Sequence, residues 1–177
     1  MATFNLLPET QSGTNEWSIS AGTNYVNVIN EDDDSTYIYE TRRQQEINYT
    51  TVNPAIAEAG MDFTENVTVT PYVHAHHTGT GTVNLDIQLL GVGISLSATT
   101  KAISNDSSFP AYAGTATTNK SIGTSWDYSG LQAINLKLEC QTNLARFQSL
   151  RVSYAYIKVD YTAVVATSNS VFFGANF

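Results

Sequence analysis

From Leu150 to Thr162 the chain changes character at every step. Ser153, Ala155, Ile157, Val159 and Tyr161 fall on one side of an extended strand, and Val152, Tyr154, Tyr156, Lys158 and Asp160 fall on the other. The pattern predicts a long β-strand with one face buried and one face aromatic and wet. The same period of two recurs through the sequence, and a helical period hardly appears. Tyr25 to Ile29, Thr36 to Glu40 and Glu46 to Val52 are short β-branched and aromatic runs divided by acidic and polar turn formers, as in a meander or a jelly roll. Further strands are predicted from Gly91 to Ala98, from Tyr112 onward and from Ala133 to Cys140. Asn53 to Gly60, with Pro54 and three alanines, reads as a short helix or an irregular crossover.

Val67, Val69, Val73 and Ala75 share one parity, as do Leu85, Ile87 and Leu89 beyond the turn signal His77 to Thr82. Paired as a hairpin, these runs keep their apolar sides together only if paired residue numbers sum to an even number, as in Ala75 with Leu85 and Val73 with Ile87. That register sets His74 opposite Asp86. Two apolar clusters lie outside the strands. Phe4, Leu6 and Leu7 stand before Pro8, and Phe172, Phe173 and Phe177 stand in the closing VFFGANF. Residues 1–14 read as an N-terminal arm, 15–162 as the β-sandwich and 163–177 as a C-terminal tail. One terminus is expected to dock on a partner, and the greater aromatic area points to the C-terminal one.

The 177 residues fit a single domain that buries close to ~70% of its unfolded surface. Eight Lys and Arg against sixteen Asp and Glu give a net charge of −8, a field that repels phosphate backbones and argues against nucleic-acid binding. Charged residues make up only 14%, and Thr, Ser, Asn and Tyr take the exposed positions, a composition of β-rich extracellular or virion surfaces. Met1 is followed by neither a basic region nor a sustained apolar run, so synthesis in a cytoplasm and no membrane partner are expected. The single cysteine, Cys140, shares parity with Ile134, Leu136 and Leu138 and reads as a buried structural thiol.

Candidate chemistry is sparse. His74 and His76 project from one side of a strand, which admits an i, i+2 metal pair, but no third ligand is suggested nearby except Asp86. Asp32 to Asp34 invite calcium, yet the loop lacks the glycine and the twelfth-position acid of the helix-loop-helix pattern, since Arg43 stands there. An irregular loop site or a solvated turn remains. No GxSxG elbow, acidic pair with a cleft signature or phosphate cradle is present, so neither an enzyme nor a cofactor is indicated. Tyr154 and Tyr156, with Tyr72 if its strand joins the same sheet, make an aromatic surface. Such surfaces stack sugars and also bury well between proteins, and the poverty of charge favours the interface.

The order of WSISAGTNYVNVINEDDDSTYIYE, VTVTPYVHAHH, TVNLDIQLL, SIGTSWDYSGLQAINLKLE and VSYAYIKVDYT resembles the jelly-roll structural proteins of tailed bacteriophages. The likeness runs over about residues 15 to 162 and rests on Trp17, Asp32 to Tyr37, Trp126 with Gly130 and Leu131, and Val159 with Tyr161. It implies an all-β fold, a single jelly-roll antiparallel β-sandwich with short N- and C-terminal arms. It also implies a non-enzymatic virion protein, and the chain's size is similar to that of head decoration, or cement, proteins. These commonly form homotrimers on the capsid surface and bridge subunits of the major capsid protein. A carbohydrate- or receptor-binding module of a phage fibre or tail is the alternative. The VFFGANF tail departs from the shared pattern.

Overall fold

The computed structural model describes residues 1–12, 15–20, 24–29, 34–42, 46–51, 60–106 and 108–164. Two six-stranded antiparallel sheets pack face to face. One holds β1 (Ala2–Leu6), β3 (Ser18–Ile19), β4 (Ile38–Glu40), β6 (Thr68–His77), β10 (Ala111–Ala113) and β14 (Leu150–Tyr161). The other holds β2 (Pro8–Ser12), β5 (Glu46–Thr51), β7 (Val83–Gly91), β8 (Ile94–Ser95), β9 (Thr99–Ile103) and β13 (Asn135–Cys140). A small ribbon of β11 (Asn119–Ser121) and β12 (Thr124–Ser125) and two short helices, α1 (Tyr25–Ile29) and α2 (Tyr128–Gln132), complete the described residues.

The pairings nest. β4 pairs with β14, β5 with β13, β6 with β10 and β7 with β9, first with last throughout. Both arms of this long hairpin pass from sheet to sheet together, which is the jelly roll that the sequence led one to expect. Inward positions fill the space between the sheets: Val73, Ala75, Ala155, Ile157 and Val159 from one side, Leu85, Ile87, Ile47, Leu136 and Leu138 from the other, none more than 1% exposed. Trp17 and Trp126 are buried, and Asp127 caps α2 by accepting the Gly130 N–H at 2.7 Å. The residues behind the phage likeness at these positions are therefore packing and capping positions of the sandwich.

Four expectations are corrected. β6 and β7 are not a hairpin: they lie in opposite sheets, so Val73 and Ala75 face Leu85 and Ile87 across the core. Parity cannot tell strands that lie side by side from strands that face each other, since both must bury one side. His74 is on the outer face opposite Tyr154, and Asp86 pairs with Glu139 and Thr100. The N-terminal arm is a pair of strands: Phe4 stands beside Val159, Leu6 beside Ile157, and Gln11 beside Tyr49. Pro8 opens β2, where a missing N–H is tolerated.

Tyr25–Ile29 is helical although rich in β-branched residues, because Asn24 accepts the Val26 N–H at 2.9 Å and Val26 and Ile29 bury one side of the turn. Finally, β14 does not alternate strictly. Val152 pairs with Ala75 and Tyr154 with His74, so Ser153 is an extra residue, a β-bulge. Val152, expected on the tyrosine side, is in the core, and the buried Ser153 hydroxyl donates to Asp34 at 3.0 Å.

Candidate functional site

Beyond the bulge, β14 and β6 pair residue for residue, which places Tyr156 beside Tyr72 and Tyr154 beside His74 on the outer face. Ring geometry follows from this register. Tyr72 and Tyr156 stack with centroids 5.1 Å apart and planes 7° from parallel. That separation is close to the spacing of neighbouring strands, so the rings stand up from the sheet and cover each other's faces. Tyr154 leans on Tyr156 at 5.1 Å and 37°, and the His74 ring meets Tyr154 edge-on at 5.3 Å. The result is a ladder of rings in stacked, tilted and edge-on contact.

Charged groups bracket the ladder. At one end Lys158 pairs with Asp160 at 3.0 Å, and the Thr3 hydroxyl also donates to Asp160. The Thr3 hydrogen bond, with help from Lys158, holds the Asp160 carboxyl below the usual range, and the Asp160 bond raises Lys158. At the other end Arg151 stands beside His76 and Tyr39 on the same face. The His76 Nδ1–H donates to the Asp106 carbonyl at 2.8 Å, and the ring meets Phe109 edge-on at 4.4 Å; burial lowers its pKa against that hydrogen bond. Phe109 continues to Tyr37 at 5.9 Å, and Tyr37 to Tyr39 at 6.2 Å. An aromatic band thus runs along the outer face from Tyr72 to Tyr39.

Of the residues singled out from sequence, Tyr154 and Tyr156 are brought together, with Tyr72. Phe4, Leu6 and Leu7 are not a free docking cluster: Leu6 is buried in the sandwich, and Phe4 packs edge-on against Tyr161 at 5.6 Å. An alternation with Thr3 and Asn5 outward was the missed signal for that strand. Phe172, Phe173 and Phe177 lie outside the described residues, as do Asp32 and Asp33. Among the described residues no group of three or more His, Cys, Asp and Glu is placed to hold a metal ion. Cys140 is buried, its thiol pushed up by that burial and bonded to the Thr142 carbonyl at 3.6 Å. Tyr37, Tyr39, Phe109 and Arg151 were missed, because only the pairing of β4, β6 and β14 gathers them.

No family model and no curated protein matches this sequence. Among solved structures, the chain is similar to the CBM36-1 domain of a multidomain xylanase from the hindgut metagenome of Trinervitermes trinervoides. The match covers 92% of this chain and 100% of that domain at 10% identity and a TM-score of 0.46, too remote to speak for a shared ligand.

Proposed function

We propose that this protein is a non-enzymatic structural protein of a phage virion, a head decoration protein that assembles as a homotrimer and bridges subunits of the major capsid protein on the capsid surface. The observation that carries the reading is the Tyr72, Tyr156 and Tyr154 ladder. A sugar platform needs ring faces turned to solvent, whereas here Tyr72 and Tyr156 stack on each other and Tyr154 leans on Tyr156. An aromatic centre with charged groups at its ends is the anatomy of a protein interface. A protein that binds only the assembled lattice stabilises it by mass action. Sedimentation of the isolated chain at micromolar concentration tests assembly: a trimer is expected, and monomer alone overturns it. Copy number per particle tests placement: a decoration protein scales with the capsid lattice, and a fibre component appears in a few copies.

A second reading, a carbohydrate- or receptor-binding module of a fibre or tail, is favoured by a groove beside the ladder, where Arg151, Tyr37 and Tyr39 converge.

A further inference from the structure

The groove between the end of β3, β4 and the start of β14 encloses about 380 Å³ and is lined by Ser20, Tyr37, Tyr39, Thr41, Phe147 and Arg151 among others. Its guanidinium is anchored at two points. The Arg151 Cζ lies 4.6 Å from the Tyr37 ring centroid, and its Nε–H donates to the Ser149 hydroxyl at 3.0 Å. Among the described residues no carboxylate pairs with its terminal nitrogens, and Asp34, on a neighbouring turn, is engaged by Ser153. A stacked, tethered guanidinium of this kind presents its remaining N–H groups as a ready fork for a carboxylate.

The opposite wall is Phe147, which is unusual on two counts. Its φ is 70°, and it is 86% exposed. It sits third in a turn closed by the Gln148 N–H on the Ala145 carbonyl at 2.9 Å and braced by the Ala145 N–H on Gln148 Oε1 at 2.7 Å. Glycine suits such a position, because a bulky side chain at positive φ is strained. Apart from the Arg146 guanidinium 4.8 Å from its ring, the phenyl is left to solvent, so folding alone does not explain it.

We propose that this groove binds a carboxylate-bearing sugar, a hexuronic acid residue of a glycan. In this assignment Arg151 grips the carboxylate, Phe147 and Tyr39 stack on the C–H faces of the ring, and the Ser20 and Thr41 hydroxyls meet sugar hydroxyls. Ser20 Oγ accepts the Tyr37 N–H at 2.9 Å, which leaves its proton to donate. The chain's net charge of −8 opposes a polyanion and suits a glycan whose acidic residues are spaced apart. The proposal names the ligand of the second reading above and does not depend on how the tyrosine ladder is used.

The test is an NMR titration of the full chain with three probes: methyl β-D-glucuronide, methyl β-D-glucoside, in which a hydroxymethyl group replaces the carboxylate, and glutarate, which lacks the ring. The glucuronide is expected to bind at least tenfold more tightly than either control and to shift the Arg151 Nε–H and Phe147 ring signals. Arg151→Gln should weaken it about 10- to 100-fold, the loss of a charged hydrogen-bonding partner. Phe147→Gly is the sharper variant: it should weaken binding while the melting temperature stays level or rises, which a purely structural residue would not do. Equal binding of glucuronide and glucoside overturns the carboxylate assignment but keeps a sugar site. Equal binding of glutarate overturns the sugar. No binding of any probe at about 20 mM, well beyond the millimolar affinity of a weak monosaccharide site, overturns the proposal, while the second reading stands or falls separately with copy number per particle.

Discussion

On the outer face of the β7–β13 sheet, Lys137 stands between Glu46 at 2.5 Å and Glu139 at 3.0 Å, among Asn48, Gln88, Asp86 and Thr100. On the outer face of the β6–β14 sheet the corresponding positions carry Tyr72, His74, Tyr154 and Tyr156, with charge only toward the ends. Both sheets obey the same alternation and share one core, so burial inside cannot explain the difference. Water alone accounts for the first face. The second spends outward positions on large half-buried rings, which is reasonable where another surface is to cover them.

The largest effect expected along this contrast is at the C-terminus. Ala163 forms a bridge to Met61, and Val164 donates to the Gly60 carbonyl; residues 165–177 follow in sequence and lie outside the described residues. Each phenylalanine buried against a partner contributes roughly 1.5 to 3 kcal/mol, and Phe172, Phe173 and Phe177 are three. Deleting residues 165–177 should leave the melting temperature nearly unchanged and weaken trimer formation or capsid binding by several kcal/mol. A truncated protein that assembles and decorates particles like the full chain removes the tail from the interface.

Next is the ladder itself. Tyr156→Asp places a charge at the centre of the aromatic face and should weaken assembly by about 2 kcal/mol or more, as for an interface hot spot. Ala102→Asp, an exposed position on the other outer face, should not. Sedimentation of the two variants side by side reads this directly, and equal behaviour would mean that the aromatic face is not the contact.

Much of this contrast was legible in the sequence. Strict alternation identified the inward residues of β6, β7 and β13, and the outward tyrosines of β14 stood out by type. The rest depended on contacts between distant segments. Ser153 shifts the phase of β14, yet an extra serine leaves no compositional mark, so Val152 was read on the wrong side. The helical Tyr25–Ile29 is written in strand-favouring residues and owes its form to what it packs on, β14 and β2. The groove at Arg151 joins residues from β4, β14 and the turn at Phe147, and only the nested pairing brings them together.

The same residue type tests the inside against the outside. Tyr49 projects inward from β5, is fully buried, and its hydroxyl has no hydrogen-bond partner among the described residues; burial pushes its phenol well above the ordinary pKa. A buried unmade hydrogen bond costs about 1 kcal/mol or more, so Tyr49→Phe should stabilise the fold by about 1 kcal/mol and raise the melting temperature by about 2 to 4 °C. Tyr72→Phe on the outer face should leave the isolated chain's stability unchanged. A lower melting temperature for Tyr49→Phe would mean that the hydroxyl does find a partner in solution.

The smallest effect concerns the charged face. The hydrogen bond from Lys137 holds the Glu46 carboxyl below its usual range despite partial burial. Burial works against the Lys137 charge, but its bonds to Glu46 and Glu139 outweigh this and raise its pKa. A depressed carboxyl stabilises the fold above its unfolded value of 4.5, and that share is lost as pH falls through the lower folded value. The raised lysine gives the opposite edge, with stability held below its ordinary 10.5 and lost as pH rises through the higher folded value. Because the cluster is partly exposed, the difference between the wild type and Lys137→Met should be about 1 kcal/mol or less at pH 7, and smaller still in high salt. Melting both proteins from pH 7 down through the carboxylate range should show the gap closing as Glu46 protonates. A gap that stays constant over that range would mean the lysine acts through its aliphatic stem alone, and the charged face would then contribute packing and no pairing.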